Sequence, residues 1–338
     1  MRKKIFVTGG AGYIGSHTVI ELLQQGHEVL VYDSFVNSSP EVLRRVGLIT
    51  NKPLIVVTGD IRDKSALLSA IKSFCPDTII HFAGLKAVND SIHDPLLYYD
   101  VNVQGSLSLL RAMSEVDCNE IIFSSSATVY GQKAQPPYSE THGVAPSSPY
   151  GNSKLIFETI LEDWIRANEA RRAVILRYFN PVGSHSSGMI GDDHTGAPNN
   201  LMPLIVQVAN KKRQYLNIYG ADYDTKDGTG ERDFIHISDL AAGHVKATEK
   251  IKELNRLQIL NLGTGKSTTV IELVRTFEQT SSIFIPLRKV GRRAGDVPIS
   301  FADTTLAFEL LGFECKKTLS DMCVDTWNWA RRNPDGYN

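Results

Sequence analysis

A chain of 338 residues has room for one large domain or two that share a core, and its 42% hydrophobic and 22% charged content is that of an ordinary globular protein. The net charge of −1 excludes a general attraction for nucleic acid or anionic membranes, so any anionic ligand has to be held by a local cluster of donors. No apolar run approaches the ~18 residues of a membrane span, and the basic start is followed only by Ile5, Phe6 and Val7, too short for a signal-peptide core, so a cytosolic protein is expected.

In chain order, short β-branched runs alternate with longer helical patterns. Lys4–Thr8, Glu28–Tyr32, Leu54–Thr58, Thr78–Ala83, Glu120–Ser125 and Val174–Tyr178 read as strands. Between them Ile14–Gln25, Lys64–Phe74, Pro95–Val116 and Pro149–Glu169 read as helices. Gly26 is placed to close the first helix, and Pro76 cannot continue the second. Such a βαβ rhythm calls for a parallel sheet covered on both faces.

The rhythm breaks after about Asn180. From Pro181 to Asp233, Gly, Asp, Asn, Thr and Pro dominate, with one helical stretch near Met202–Asn210. A loop-rich region of that length is usually functional. Helical patterns return at Asp239–Glu249, Thr268–Gln279, Thr304–Leu311 and Leu319–Arg331. The layout predicts an α/β protein with a nucleotide-binding domain over residues 1–180 and a smaller α/β substrate domain over 181–338, their elements partly interleaved.

Cys75, Cys118, Cys315 and Cys323 form no Cys-x-x-Cys pair and read as reduced, mostly buried thiols. His194 beside Asp192 and Asp193 imitates a metal cluster, but its neighbours are loop formers. A solvated loop is expected there, and no metal site.

Thr8-Gly9-Gly10-Ala11-Gly12-Tyr13-Ile14-Gly15 follows the first strand and opens the first helix. Glycines at 9, 12 and 15 permit a tight turn, close backbone approach to a pyrophosphate, and tight helix–strand packing, as in a Rossmann-type doubly wound sheet. Asp33 ends the second strand 18 residues past Gly15, where a carboxylate accepts both ribose hydroxyls and repels a 2′-phosphate. NAD is therefore favoured over NADP. Asp60-Ile61, after the third strand, reads equally as an adenine contact or as a helix cap.

Tyr150 and Lys154 lie four residues apart, on one helix face. A neighbouring ammonium and a positive nicotinamide ring would lower the phenol's pKa from roughly 10, letting Tyr150 act as a base. Ser124-Ser125-Ser126-Ala127-Thr128 follows the fifth strand, at the sheet end where a ligand crevice is expected. Ser126 is the choice to bond the reacting oxygen. Ser124 and Ser125 read also as hydroxyls capping their own backbone.

These features resemble the extended short-chain dehydrogenases/reductases and, within them, the UDP-galactose (UDP-glucose) 4-epimerases, nearly end to end. The resemblance rests on Thr8-Gly-Gly-Ala-Gly-Tyr-Ile-Gly-Ser-His17, Gly59-Asp-Ile-Arg62, His81-Phe-Ala-Gly-Leu-Lys-Ala-Val88 and Phe123-Ser-Ser-Ser-Ala-Thr-Val-Tyr-Gly131. It continues in Ser148-Pro-Tyr-Gly-Asn-Ser-Lys154, Arg177-Tyr-Phe-Asn-Pro-Val-Gly183, Asn199-Asn-Leu-Met-Pro203, Asp227-Gly-Thr-Gly-Glu-Arg-Asp-Phe-Ile-His236 and Arg292-Arg-Ala-Gly-Asp296.

The resemblance implies NAD contacts from Gly9, Gly12, Tyr13, Ile14, Gly15, Asp33, Asn37, Asp60, Ile61, Phe82, Ala83, Gly84, Lys86, Asn102, Tyr150, Lys154 and Tyr178. Ser126 and Tyr150 would handle the proton at C4, with Lys154 tuning Tyr150 and binding the nicotinamide ribose. The UDP-sugar would meet Lys86, Ser126, Thr128, Tyr150, Asn180, Asn200, Leu201, Tyr219, Arg232, Arg293, Asp296 and Ser300, the two arginines supplying forked donors for a diphosphate. A small residue at Ser300 would leave room for an N-acetyl group.

A sugar 4,6-dehydratase would carry an Asp-Glu pair after the active-site Thr, and Ser126-Ala127-Thr128-Val129 has no carboxylate there. A silent NAD-sensing regulator should have lost Ser126, Tyr150 and Lys154. A UDP-uronate enzyme stays open, since the sequence does not show what faces C6. Leu96, Leu97, Val103, Leu107 and Leu110, with Leu155, Ile156, Ile160 and Trp164, read first as core stripes. The resemblance implies instead that their two helices pair across a two-fold in a homodimer.

Overall fold

Alternate residues of the central strands point to two separate cores, and that alternation builds the molecule. The structure is a computed structural model describing residues 2–193, 200–293 and 295–337. His194 and the loop expected around it lie outside the described residues, as do Asn199 and Ala294. Strands β1 (Lys4–Thr8), β2 (Glu28–Asp33), β3 (Ile55–Thr58), β4 (Thr78–His81), β5 (Glu120–Ser126) and β6 (Arg172–Tyr178) form one parallel sheet. Leu257–Leu262 adds a seventh strand beyond β6, which the sequence pattern did not reveal. Across the sheet the order is Leu257–Leu262, β6, β5, β4, β1, β2, β3.

Ile5 and Val7 of β1 pack with the helices Tyr13–Gln24, Pro40–Thr50 and Ile237–Lys250, whereas Phe6 packs on the other face with Lys64–Phe74, Gly105–Glu115 and Pro149–Arg166. Both faces are thus covered, as a parallel sheet requires. The strand order reverses between β1 and β4, which opens a crevice at their carboxyl ends.

Local chemistry sets the helix ends. Ser39 caps Pro40–Thr50, Asp63 caps Lys64–Phe74, and Ser148 caps Pro149–Arg166, each side chain accepting a first-turn N–H. Gly26, at φ +85°, follows the first helix. The expected helix over Pro95–Val116 is instead two helices, Pro95–Tyr99 and Gly105–Glu115, joined by a π turn at Asp100–Gln104. A short Val88–His93 helix precedes them. The wide turn lets Gly105 pass against Ile61, where a Cβ would come within 2.5 Å of the Ile61 side chain.

Beyond Asn180 the chain forms short sheets among helices. Asn180–Val182 pairs with Phe234–His236, and Glu231–Arg232 lies between Thr268–Thr269 and Ile299–Ser300. Leu216–Tyr219 pairs with Leu287–Val290. The stretch read as loop with one helix therefore also holds strands. A third core, including Ile205, Ile218, Phe234, Phe277 and Met322, joins these pieces. Yet Ile237–Lys250 and Leu257–Leu262, both past residue 180, belong to the layers of the main sheet. Cys118 and Cys323 are buried, Cys315 is half-buried and Cys75 exposed, all as free thiols. Among the described residues no His, Cys, Asp or Glu group could hold a metal, and no helix is long and apolar enough to cross a membrane.

Candidate active site

The turn after β1 leaves almost no space for side chains. Gly9 has φ +69°, donates its N–H to the Tyr32 carbonyl at 2.9 Å, and would place a Cβ 2.6 Å from the Ala83 nitrogen. At Gly15 a Cβ would lie 2.3 Å from the Gly9 oxygen. Gly12 is the helix N-cap and has no side chain to satisfy the first-turn amides of Tyr13, Ile14 and Gly15. That leaves an anion-accepting helix end.

Asp33 is buried beside it. Its Oδ2 accepts the Ala11 N–H at 2.9 Å, and its Oδ1 accepts the Phe35 N–H at 2.9 Å and the Ser38 hydroxyl at 3.1 Å. These bonds tie the glycine turn to the loop that carries exposed Asn37. The Asp60 carboxylate is held by the Arg62 guanidinium at 2.7 and 2.9 Å, and this bond lowers its pKa. The helix cap falls to Asp63 instead, and Ile61 is buried. Phe82 and Ala83 donate to the Thr8 carbonyl at 3.0 Å and the Thr8 hydroxyl at 3.3 Å, which holds Phe82-Ala83-Gly84 against the glycine turn. Lys86 is exposed, 3.9 Å from the Asp192 carboxylate and 5.8 Å from the Tyr13 ring centre. Cramped glycines, uncapped amides and a fixed carboxylate at a strand end fit a dinucleotide.

Asn102, expected at the cofactor, spends its amide on the protein. Its Oδ1 accepts the Leu85 N–H at 2.7 Å, and its Nδ2 donates to the Leu85 carbonyl and the Ser153 hydroxyl, each at 3.0 Å. It therefore locks the loop after β4 to the helix bearing Tyr150 and Lys154.

Three consecutive serines at the end of β5 have three different partners. Ser124 bonds the Tyr178 phenol, and Ser125 donates to the Glu158 carboxylate. Ser126 accepts the Thr128 N–H at 3.2 Å and the Thr128 hydroxyl at 3.0 Å. Local capping thus falls on Ser126, not on Ser124 and Ser125, because the strand turns into a 3₁₀ helix at that point. The Lys154 ammonium donates to the Ser124 carbonyl at 2.9 Å and lies 5.9 Å from the Tyr150 ring centre. Burial pushes the Lys154 pKa down to about 8, with Glu158 opposing.

In the protein alone, Tyr150 is governed by its burial. Burial raises its pKa above the ordinary 10, and only a Ser126 hydrogen bond works the other way. The Lys154 ammonium is turned to the Ser124 carbonyl and does not offset this loss of water.

Two charged residues the sequence reading passed over lie beneath this site. Glu158 and Arg177 are 5% and 4% exposed, joined by bonds of 2.6 Å (Nη2–Oε2) and 3.1 Å (Nε–Oε1). Their signal is present in the sequence: an arginine inside the apolar run of β6, and a glutamate one helical turn past Lys154. His81 is buried between Thr8 and Ser106 at 2.7 and 2.8 Å, and burial brings its pKa to about 3, so it is neutral.

The remaining predicted residues line a more open region. Arg232 bonds Asp296 and donates to the Glu231 carbonyl at 2.8 Å, and Ser300 is its register partner across the short strands. Arg293 stacks 3.9 Å from the centre of the Tyr219 ring, which is 37% exposed. Ser300 is half-buried, and its hydroxyl works against the burial that raises the Tyr138 pKa. Asn200 stands at the N-cap of Leu201–Ala209 without a side-chain capping bond, and Asn180 is exposed past the end of β6.

Asp233, also unflagged by the sequence, is the hub of this region. Its carboxylate accepts from the Thr264 N–H (2.8 Å) and hydroxyl (2.7 Å), the Gly265 N–H (3.1 Å) and the Ala302 N–H (3.2 Å). Backbone bonds of 3.0 Å from Asn180 to Asp233 and from Asp233 to Ser300 link the Asn180–Val182 strand to Ile299–Ser300.

Residues 5–263 match the model of the NAD dependent epimerase/dehydratase family. The UDP-glucose 4-epimerase of Bacillus subtilis (strain 168) is 47% identical over 333 residues, covering 98% of each chain. That of Homo sapiens is 46% identical over 344 residues, 100% of this chain and 99% of its own. Among solved structures, UDP-glucose-4-epimerase from Stenotrophomonas maltophila, with bound NAD and formylated UDP-arabinopyranose, superposes with a TM-score of 0.96 at 44% identity over 98% of this chain and 99% of that one. The UDP-Glc/GlcNAc 4-epimerase from Campylobacter jejuni gives 0.86 at 33% identity, over 97% and 99%. With its glycine turn, its buried Ser126–Tyr150–Lys154 group and a match from end to end, the chain belongs to the NAD dependent epimerase/dehydratase family, among the UDP-glucose 4-epimerases.

Proposed function

We propose that this enzyme interconverts UDP-galactose and UDP-glucose in the cytosol by transient oxidation at C4, with NAD held throughout the cycle. The observation that carries this reading is the buried group of Ser126, Tyr150 and Lys154 at the carboxyl end of β5, two strands from the glycine turn. Bound NAD supplies the hydride acceptor at C4 and, once the sugar has turned over, the donor.

Tyr150 takes the proton from the 4-hydroxyl and later returns it, and Ser126 holds the same oxygen. Burial alone disfavours the Tyr150 phenolate, so the proton transfer needs positive charge nearby, and Lys154 is the protein's share of it. Turning the keto sugar requires firm contacts on the nucleotide and few on the hexose. Arg232, Arg293 and Tyr219, all outside the buried set, suit the first requirement.

The test uses desalted enzyme and UDP-galactose without added cofactor. UDP-glucose should form, and NAD(H) should elute with the protein. Turnover that requires stoichiometric NADH and ends in a reduced sugar would defeat this reading.

The substrate range extends to UDP-N-acetylglucosamine and UDP-N-acetylgalactosamine. In support, Ser300 is small and pairs in register with Arg232, so no large side chain projects from that position. The same proposal includes a homodimer. Leu110 is core, but Leu96, Leu97 and Ile156 are 77%, 43% and 39% exposed on the two helices expected to pair. An apolar face of that kind marks an association surface. Leu96→Asp should convert the dimer to monomer by light scattering, and a monomeric wild type would exclude it.

A further inference from the structure

One carboxylate grips the middle of the strand end that carries both reacting groups. Glu158 lies one turn beyond Lys154 on Pro149–Arg166, so the two side chains leave the same face of the helix. Its Oε1 takes the Ser125 hydroxyl and the Arg177 Nε, and its Oε2 takes the Arg177 Nη2. Ser125 sits between Ser124, whose carbonyl holds the Lys154 ammonium, and Ser126, whose hydroxyl acts to lower the Tyr150 pKa.

We propose that Glu158 is a positioning residue for the C4 chemistry, fixing Ser124–Ser126 against the Tyr150–Lys154 helix and placing a negative charge beside the buried ammonium. This rests on Tyr150 and Lys154 acting as described above.

A fold-stabilising role alone explains the arrangement poorly. Desolvation offsets much of a buried pair's attraction, and a well-packed apolar pair would serve stability as well. Such a pair could neither hold the Ser125 hydroxyl nor supply charge. The groups facing Lys154 are Tyr150 and Glu158 from its own helix, the Ser124 carbonyl and Phe123 ring from β5, His81 from β4, and from β6 Tyr178 through Ser124 and Arg177 beyond Glu158. His81 is neutral, and Tyr150 and Tyr178 are pushed toward their neutral forms by burial. Glu158 is thus the group that opposes the burial of Lys154.

The experiment measures kcat against pH on the holoenzyme with UDP-galactose for Glu158→Asp, Glu158→Gln and the double variant Glu158→Gln/Arg177→Met, which leaves no lone buried guanidinium. Melting temperature and the fraction of NAD retained after desalting at pH 7 and 9 are read in parallel, with Tyr150→Phe as a control. The alkaline limb should move to lower pH, by about half a unit for the aspartate and about one unit or more for the glutamine variants. NAD retention at pH 9 should fall in the same order. A wild-type limb in any variant melting within a few degrees of wild type overturns the proposal. Failure of all three to fold does so too, since the pair would then be a requirement of the fold. Near-normal turnover in Tyr150→Phe would instead overturn the reading beneath it.

Discussion

The two halves of the proposed site are built in opposite ways. Ser126, Tyr150, Lys154, Glu158 and Arg177 are buried, and they stand on strands and a helix of 7 to 18 residues. Arg232 and Ser300 stand on strands of two residues, and Arg293 and Asp296 on exposed loop. Chemistry at a buried oxygen needs fixed distances and excluded water, which long packed elements supply. Holding a nucleotide while its sugar turns needs strong contacts at one end and space at the other, which short strands pinned by Asp233 allow. Substitutions should therefore act on rate in the first region and on selection and affinity in the second.

The largest effect is expected at Tyr150. Tyr150→Phe keeps the shape and loses the proposed proton carrier, so kcat should fall by ~10²–10⁴-fold while the UDP dissociation constant stays within a few-fold. A change confined to affinity would erase the contrast between the regions.

Ser300 comes next. Ser300→Tyr should lower kcat/KM for UDP-N-acetylglucosamine by roughly 100-fold and leave UDP-galactose within a few-fold, because overlap with a bulky side chain acts only against the larger substrate. A wild type that ignores the N-acetylated pair, or a tyrosine variant that still accepts it, would move the gate elsewhere.

Lys154 sharpens the comparison through pH. Its folded-state pKa of about 8 lies below the ordinary 10.5, so between those values the unfolded chain holds the proton more tightly. Stability from this group therefore rises as pH increases through that window, while turnover, which on the proposed mechanism uses the ammonium, falls. Relative to apo wild type, Lys154→Met should lose about 2 kcal/mol of stability between pH 7.5 and 9.5 by urea unfolding. A pH-independent difference would mean the ammonium is not buried as described.

The smallest effect is expected at Arg232. Arg232→Lys keeps the charge but not the fork, and it should weaken UDP about tenfold by calorimetry with kcat little changed. An equal loss in kcat would place Arg232 in the chemistry.

The same contrast governs what was legible in the sequence. Periodic patterns placed β1 to β6, and glycine spacing located the turn, because regular elements repeat their burial every two or three to four residues. Leu257–Leu262 escaped because its run Leu-Gln-Ile-Leu-Asn-Leu is broken by Gln258 and Asn261, both buried; the Asn261 amide holds the Tyr130 phenol and the Tyr138 carbonyl, each at 2.7 Å. Pro40–Thr50 buries only Val42, Leu43 and Val46, too few for a visible stripe. The roles of Asp233, Glu158 and Arg177 were hidden for a different reason, although an arginine inside β6 and a glutamate one turn past Lys154 stand out in the sequence. Each is a charge whose partners come from elsewhere in the chain, and no local pattern encodes that pairing. The raised pKa of Tyr150 belongs with them, since burial is a tertiary property.

Isotope tracing tests the central claim most directly. Desalted enzyme, given UDP-galactose deuterated at C4 in ordinary water and no added cofactor, should yield UDP-glucose that keeps the deuterium at C4 without exchange. Loss of the label to solvent, or product formed only when NADH is supplied in stoichiometric amount, would contradict transient oxidation with return of the same hydride.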